Sequence, residues 1–354
     1  MRVSKVIIEL SDWDNIYDLD AVSCFDRPIA IILEKIDKDL ASFFVMFRKL
    51  FQIFNYDDMV MSELDFWKQE LENGENLEDY IFRKLGLKYV EQNVCDSFKD
   101  AVRLLLDAQT PVLAPGNLFE MYYSVRYKTK NWPHMFLVNG YDSDNDLFYI
   151  LDYIQSMDMK EYQADVAYVR FAIRCDDLES AYQSFSCFDK NPTVRYLIKQ
   201  SAPINKQALL LEFLELLRNK AANTHPIEKR LTEEIIARSS GDVGCDSEEA
   251  NEWLYKLSRS CKRKEAMISE MLRQVNNHSI PDEAMREMET LKENITNSWA
   301  LLTNKFYMSF LKGRPKLNDA DLSNVIQMED KLYGLAYALV SEAADPVTYD
   351  WGSL

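Results

Sequence analysis

The stretch from Trp132 to Tyr153, WPHMFLVNGYDSDNDLFYILDY, constrains this chain more than any other. Its pattern predicts a tight β-hairpin. His134 to Val138 is an apolar strand headed by a histidine, Tyr141 to Asp146 a polar turn, and Leu147 to Leu151 a second strand ending at Asp152. An antiparallel hairpin centred near residue 143 sets His134 opposite Asp152, because cross-strand partners then sum to about 286. A slip of one residue sends the two to opposite faces of the sheet. In the expected register a carboxylate can hold an imidazole in one tautomer, as a general base requires.

Elements on either side follow from hydrophobic spacing. Val6 to Leu10 reads as a short strand and Ser11 to Val22 as an extended acidic loop. Ser23-Cys24-Phe25-Asp26-Arg27-Pro28 then leads into one long helical pattern through Ile29, Ile32, Leu33, Ile36, Leu40, Phe43, Phe44 and Phe47. Pro28 has no N–H, so regular helix cannot run back through Cys24. The cysteine therefore belongs at or just before the first turn, with that turn's unpaired N–H groups pointing its way. Short helices are expected around Leu77 to Leu85 and Phe98 to Ala108, and strands from Pro111 toward Tyr122 and over Ala167 to Ile173. Beyond about Phe188 the pattern turns helical: Leu197 to Arg218, Pro226 to Arg238, Ser247 to Val275, Pro281 to Leu311 and Asp319 to Ala344. The expected organisation is a sheet-containing domain over 1–189 and an all-helical domain over 190–354.

Composition narrows the function classes. With 354 residues, 47% apolar and 28% charged, the chain reads as a soluble globular protein of two domains. A net charge of −17 argues against nucleic acid as partner, since phosphate binding needs a basic field. Met1 to Leu10 is too short for a signal peptide and carries Glu9, and no apolar run has membrane-spanning length. Six cysteines (Cys24, Cys95, Cys175, Cys187, Cys245, Cys261) without a CxxC, and three histidines, point to a reduced cytoplasmic protein with no zinc site. Asp142 to Asp146 invites a calcium reading, but Leu147 and Tyr153 stand where an EF-hand needs glycine and glutamate, so a solvated turn is expected. Lys256 to Lys264 (KLSRSCKRK) is the densest basic cluster and reads as a solvated helix face, with docking of an acidic carrier protein as the other reading.

A cysteine before a helix, a histidine heading a later strand and an acid ending the next one is the order of a papain-like thiol site. An imidazolium and a helix N-terminus favour the thiolate nucleophile. The imidazole takes the thiol proton and later returns it to the leaving group, while the carboxylate orients the ring. Cys24 at a helix start, Pro111-Val112-Leu113 with Tyr122 and Tyr123 after it, the H-x-F-L-V-N-G-Y-D run from His134 to Asp142, and Asp152 beyond it together resemble the butirosin-biosynthesis protein H family. That family belongs to the papain-like superfamily, with bacteriocin-processing and NlpC/P60-type peptidases as distant relatives. The resemblance covers roughly the first half of the chain. It implies an α+β, papain-like cysteine-site domain with an antiparallel sheet, followed here by the all-helical C-terminal domain. It implies an acyltransferase of antibiotic or other natural-product biosynthesis with no bound cofactor. An acyl group would pass from the phosphopantetheine arm of an acyl or peptidyl carrier protein onto Cys24. From there it would go to a small-molecule acceptor, by transfer, cyclisation or hydrolysis. His134 would be the base and Asp152 its orienter.

Two departures stand out. Papain-like peptidases usually carry an oxyanion-hole glutamine shortly before the cysteine, and Asp12 to Ser23 offers Asn15 but no glutamine. The Cys24 N–H supplies one donor and the second is unassigned. Pro115-Gly116-Asn117 stands where the resembling family has an acid. Other readings stay open. The same three residues fit a cysteine peptidase or amidase, and the missing glutamine fits an inactive scaffold protein. Cys24 could be a packed small hydrophobe and His134 a satisfied core histidine. Cys95, before the helix at Phe98, is the fallback nucleophile. Trp132, Phe136 and Tyr153 could wall a pocket.

Overall fold

The computed structural model describes residues 4–10, 17–18, 20–54, 76–94, 97–153, 168–200, 204–223, 247–312 and 318–343. It is a mixed α+β structure whose sheet grows from the expected hairpin. Strand β4 (Pro133–Asp142) pairs antiparallel with β5 (Leu147–Tyr153). The Asp142 carboxylate accepts the N–H groups of Asp144 and Asn145, and Asp146 takes a left-handed φ of 53° to close the loop. Asp142 is thus spent on the turn.

The other edge of β4 is shared by two strands. β3 (Val112–Asn117) runs along Val138 to Pro133, and β1 (Lys5–Ile7) continues along Asp142 to Gly140. Gly140 permits that approach, since a Cβ there would lie 2.5 Å from the Val6 carbonyl oxygen. β6 (Tyr168–Arg174) extends the sheet beyond β5, while β7 (Thr193–Lys199) joins β3 to β2 (Leu87–Asn93). The seven-stranded order is β2-β7-β3-β4-β5-β6, with β1 against β4.

The face carrying Val112, Ala114, Phe136, Val138, Phe148 and Ile150 packs on two helices. Phe98, Val102 and Leu106 come from α4 (Phe98–Asp107), and Leu178, Ala181 and Tyr182 from α5 (Cys175–Ser184). Each Val, Leu, Ile and Phe among them contributes about 1.5–3 kcal/mol on leaving water, which suffices to fix the register of the central strands.

Three expectations change. The long helix after Pro28 is two helices, α1 (Asp26–Ile36) and α2 (Lys38–Phe54). Asp37 separates them in an extended conformation. Its N–H caps Leu33 while its carboxylate accepts the Asp39 N–H, so one residue ends one helix and begins the next. The helix expected from Leu197 starts only at Lys206, because Thr193–Lys199 is β-branched and aromatic and finds strand partners in β2 and β3. The boundary at 189/190 would cut the sheet before β7. The chain instead forms one compact unit from 1–41 and 85–201 and a second from 42–84 and 202–354.

The second unit is helical: most of α2, α3 (Leu77–Lys84), α6 (Lys206–Asn223), α7 (Ser247–Asn276), α8 (Asp282–Leu311) and α9 (Asp319–Glu342). Residues 42–84 join it through aromatic faces. Phe44 stacks on Phe82, Phe47 meets Phe213 edge-on, and Tyr80 donates to Glu212. Met267, Met271, Met288 and Phe306 are core residues. Lys264 corrects the solvated-face reading of the basic cluster, for it is buried against Glu329 and Trp299. Among the described residues no helix is long and apolar enough to cross a membrane.

Candidate active site

The sheet unit brings Cys24, His134 and Asp152 together. His134 and Asp152 have no exposed surface, and Nε2 of the ring lies 2.9 Å and 3.0 Å from the two carboxylate oxygens. Among the described residues the other nitrogen, Nδ1, has no hydrogen-bond partner of ordinary geometry. The half-buried Cys24 thiol lies near enough for its charge to bear on the imidazole. With Nε2 held by Asp152, Nδ1 is the nitrogen left for it. Burial opposes a charge on the ring. The Asp152 carboxylate, and after it Cys24, outweigh burial and raise His134 to about 10. The charged form of the ring is thereby favoured.

The register that achieves this is not the simple one. Leu137 pairs with Leu151 and Val138 with Ile150, so Asp152 falls opposite Phe136 and diagonal to His134. Between turn and site lies a β-bulge at Asn139, where the pairing shifts by one residue. Counted from the turn without it, Asp152 would oppose Leu137 and point away from His134. The bulge restores the shared face. It is held by the residue that follows β1: the Asn139 carbonyl accepts the Ile8 N–H (2.7 Å) and its side-chain amide donates to the Ile8 carbonyl (2.9 Å).

The neighbours of the pair restrain it. Phe136 and Tyr153 meet the His134 ring edge-on at 4.9 Å and 5.6 Å. Trp132 does not wall this ring; it lies half-exposed beneath Arg126 and Lys130. Gly116 stands opposite His134, and a Cβ there would come within 2.3 Å of the Phe136 ring. Asn117 closes the connection from β3 to β4: its side-chain oxygen accepts the N–H groups of Phe119 and Trp132. That connection carries Tyr123, whose hydroxyl donates to Asp152 Oδ2, while the Tyr153 N–H donates to Oδ1. Burial and the Asp152 charge push the Tyr123 phenol well above its ordinary value, so it stays a donor.

At Cys24 the turn is capped from behind. The Ser23 carbonyl accepts the N–H groups of Asp26 and Arg27, so those two do not point at the thiol as expected. Cys24's own N–H donates to none of the described residues. Arg27, fully buried, donates to the Tyr17 carbonyl and lies 5.6 Å from the ring centre of Tyr168. In the sequence Tyr123 is only one of the residues that carry the resemblance, with no role given to it, and Tyr168, which begins β6, carries no signal.

Cys95 and Asn15 lie outside the described residues, as does the expected helix over 226–238. Among the described residues no group of His, Cys, Asp and Glu is arranged to hold a metal ion. Compared with protein-family models and with curated proteins, the chain matches none.

Proposed function

We propose that the sheet unit is a papain-like thiol domain and that the protein is an acyltransferase or cyclase working through a Cys24 thioester. The observation that carries this reading is the buried imidazole clamped at one nitrogen by Asp152, with its other nitrogen unpaired among the described residues and the Cys24 sulfur near enough to bear on its charge. An imidazolium beside the sulfur favours the thiolate. The thiolate forms an S–C bond to the donor carbonyl, and the imidazolium returns its proton to the departing thiol. The neutral ring then takes a proton from the incoming amine, carbon nucleophile or water as that group expels Cys24. The donor, following the resemblance, is the phosphopantetheine thioester of an acyl or peptidyl carrier protein, and the setting is cytoplasmic.

Iodoacetamide alkylation of the native protein across pH, mapped to each cysteine by mass spectrometry and repeated on His134→Ala, tests the reading. Cys24 is expected to react rapidly at pH 6, well under the ordinary thiol range of about 8.5, and to lose that reactivity with His134. Carrier-protein thioesters should then acylate Cys24, and release to an added amine rather than water identifies transfer. Slow alkylation of Cys24 that follows an ordinary thiol profile overturns the proposal.

A further inference from the structure

One buried polar group beside this site stands apart from the rest. The Tyr168 hydroxyl is shut from solvent and, among the described residues, has no hydrogen-bond partner. Leaving a buried hydroxyl unpaired is unfavourable, so such a group in a site calls for a ligand. Its position is triangulated by both halves of the site. Tyr168 pairs across β5 and β6 with Tyr153, whose ring abuts His134, and the two tyrosine rings are 6.3 Å apart. The guanidinium of Arg27, three residues after Cys24, lies 5.6 Å from its ring centre. The charges of Asp152 and Cys24 both bear on the phenol; burial first, then those charges, push it well above its ordinary value, and it stays protonated.

We propose that the Tyr168 hydroxyl, together with the Cys24 N–H, forms the oxyanion hole, in the role a glutamine would otherwise fill. The inference rests on Cys24 being the nucleophile. When the thiolate attacks a carbonyl carbon, the C=O π pair moves onto oxygen, and that oxyanion accepts hydrogen bonds from Tyr168 and from the Cys24 backbone. No proton leaves Tyr168. As the tetrahedral species collapses the pair returns, the C=O re-forms and the leaving group departs. Tyr168 also accounts for the absence of glutamine between Asp12 and Ser23.

Two reagents separate this role from every other. Iodoacetamide alkylates a thiolate by displacement at saturated carbon and makes no oxyanion. p-Nitrophenyl acetate acylates the same sulfur through one. In full-length Tyr168→Phe, Cys24 alkylation is expected to stay within about twofold of wild type. Acylation should fall by about 10²–10³-fold, the usual loss for one oxyanion donor. The ratio of the two rates is the readout, because both report on the same folded molecules and a loss of folded fraction cancels. A ratio unchanged from wild type overturns the proposal, whether both rates hold or both fall together. If wild-type Cys24 alkylates as an ordinary thiol, the nucleophile reading itself has failed, and the oxyanion hole falls with it.

Discussion

Each unit of the protein buries an acid–base pair, and the two pairs are finished differently. In the helical unit Glu329 accepts from Lys264 (3.1 Å) and from the Trp299 indole N–H (2.6 Å), and the Lys264 ammonium lies 4.5 Å from the Trp299 ring centre. Three helices, α7, α8 and α9, meet in that network, and its charge is spent on holding them. In the sheet unit Asp152 is equally well supplied, by His134, Tyr123 and the Tyr153 N–H, but its partner is not. His134 Nδ1 and the nearby Tyr168 hydroxyl lack ordinary partners among the described residues. Burying charge costs free energy in both places. A closed network turns that cost into rigidity. In the function proposed above, an open one keeps donors and a nucleophile ready for a substrate, and on that proposal the pair in the sheet serves chemistry and the pair in the helices structure.

The contrast breaks if both pairs respond alike to mutation. Asp152→Asn keeps the shape but removes the charge that holds the imidazolium. It should lower acylation of Cys24 by p-nitrophenyl acetate by about 10³–10⁴-fold in stopped-flow assays, on the scale of losing the acid of a triad. Glu329→Ala removes the carboxylate that faces a buried ammonium. It should cost about 3–5 kcal/mol in urea unfolding of the helical unit while leaving Cys24 alkylation unchanged. A matching loss of alkylation would mean that the helical network serves the site.

The pH dependence sharpens the comparison further. His134 is raised from its ordinary value to about 10, so its charged form is favoured in the folded protein. The stability it contributes is fully present below about pH 6.5 and is lost as pH rises through about 10. Denaturant midpoints of wild type minus His134→Ala should therefore decline across that window; a flat difference would mean that the imidazolium is not held. The smallest effect expected is that of Tyr123→Phe, which removes one of three donors to Asp152. A roughly tenfold slower acylation with an unchanged alkylation maximum would mark it as a positioning residue. A full loss would give Tyr123 a larger part than its single bond implies.

Local pattern by itself determined the hairpin, its turn, the placement of Cys24 ahead of a helix and the long C-terminal helices, because periodicity and proline chemistry act over a few residues. It also determined that His134 and Asp152 share a strand pair. The tertiary structure alone decided how they meet. The bulge at Asn139 depends on Ile8, the residue after β1, arriving from far away in the chain to hold its spare amide and carbonyl, and no local signal announces a visitor of that kind. The same holds for β7, which becomes a strand where β2 and β3 offer edges, and for residues 42–84, whose aromatic face finds its partners beyond residue 202. Tyr123 and Tyr168 gain meaning only from where the sheet delivers them, since an aromatic residue's role is set by the atom its hydroxyl reaches, and that is a property of the fold.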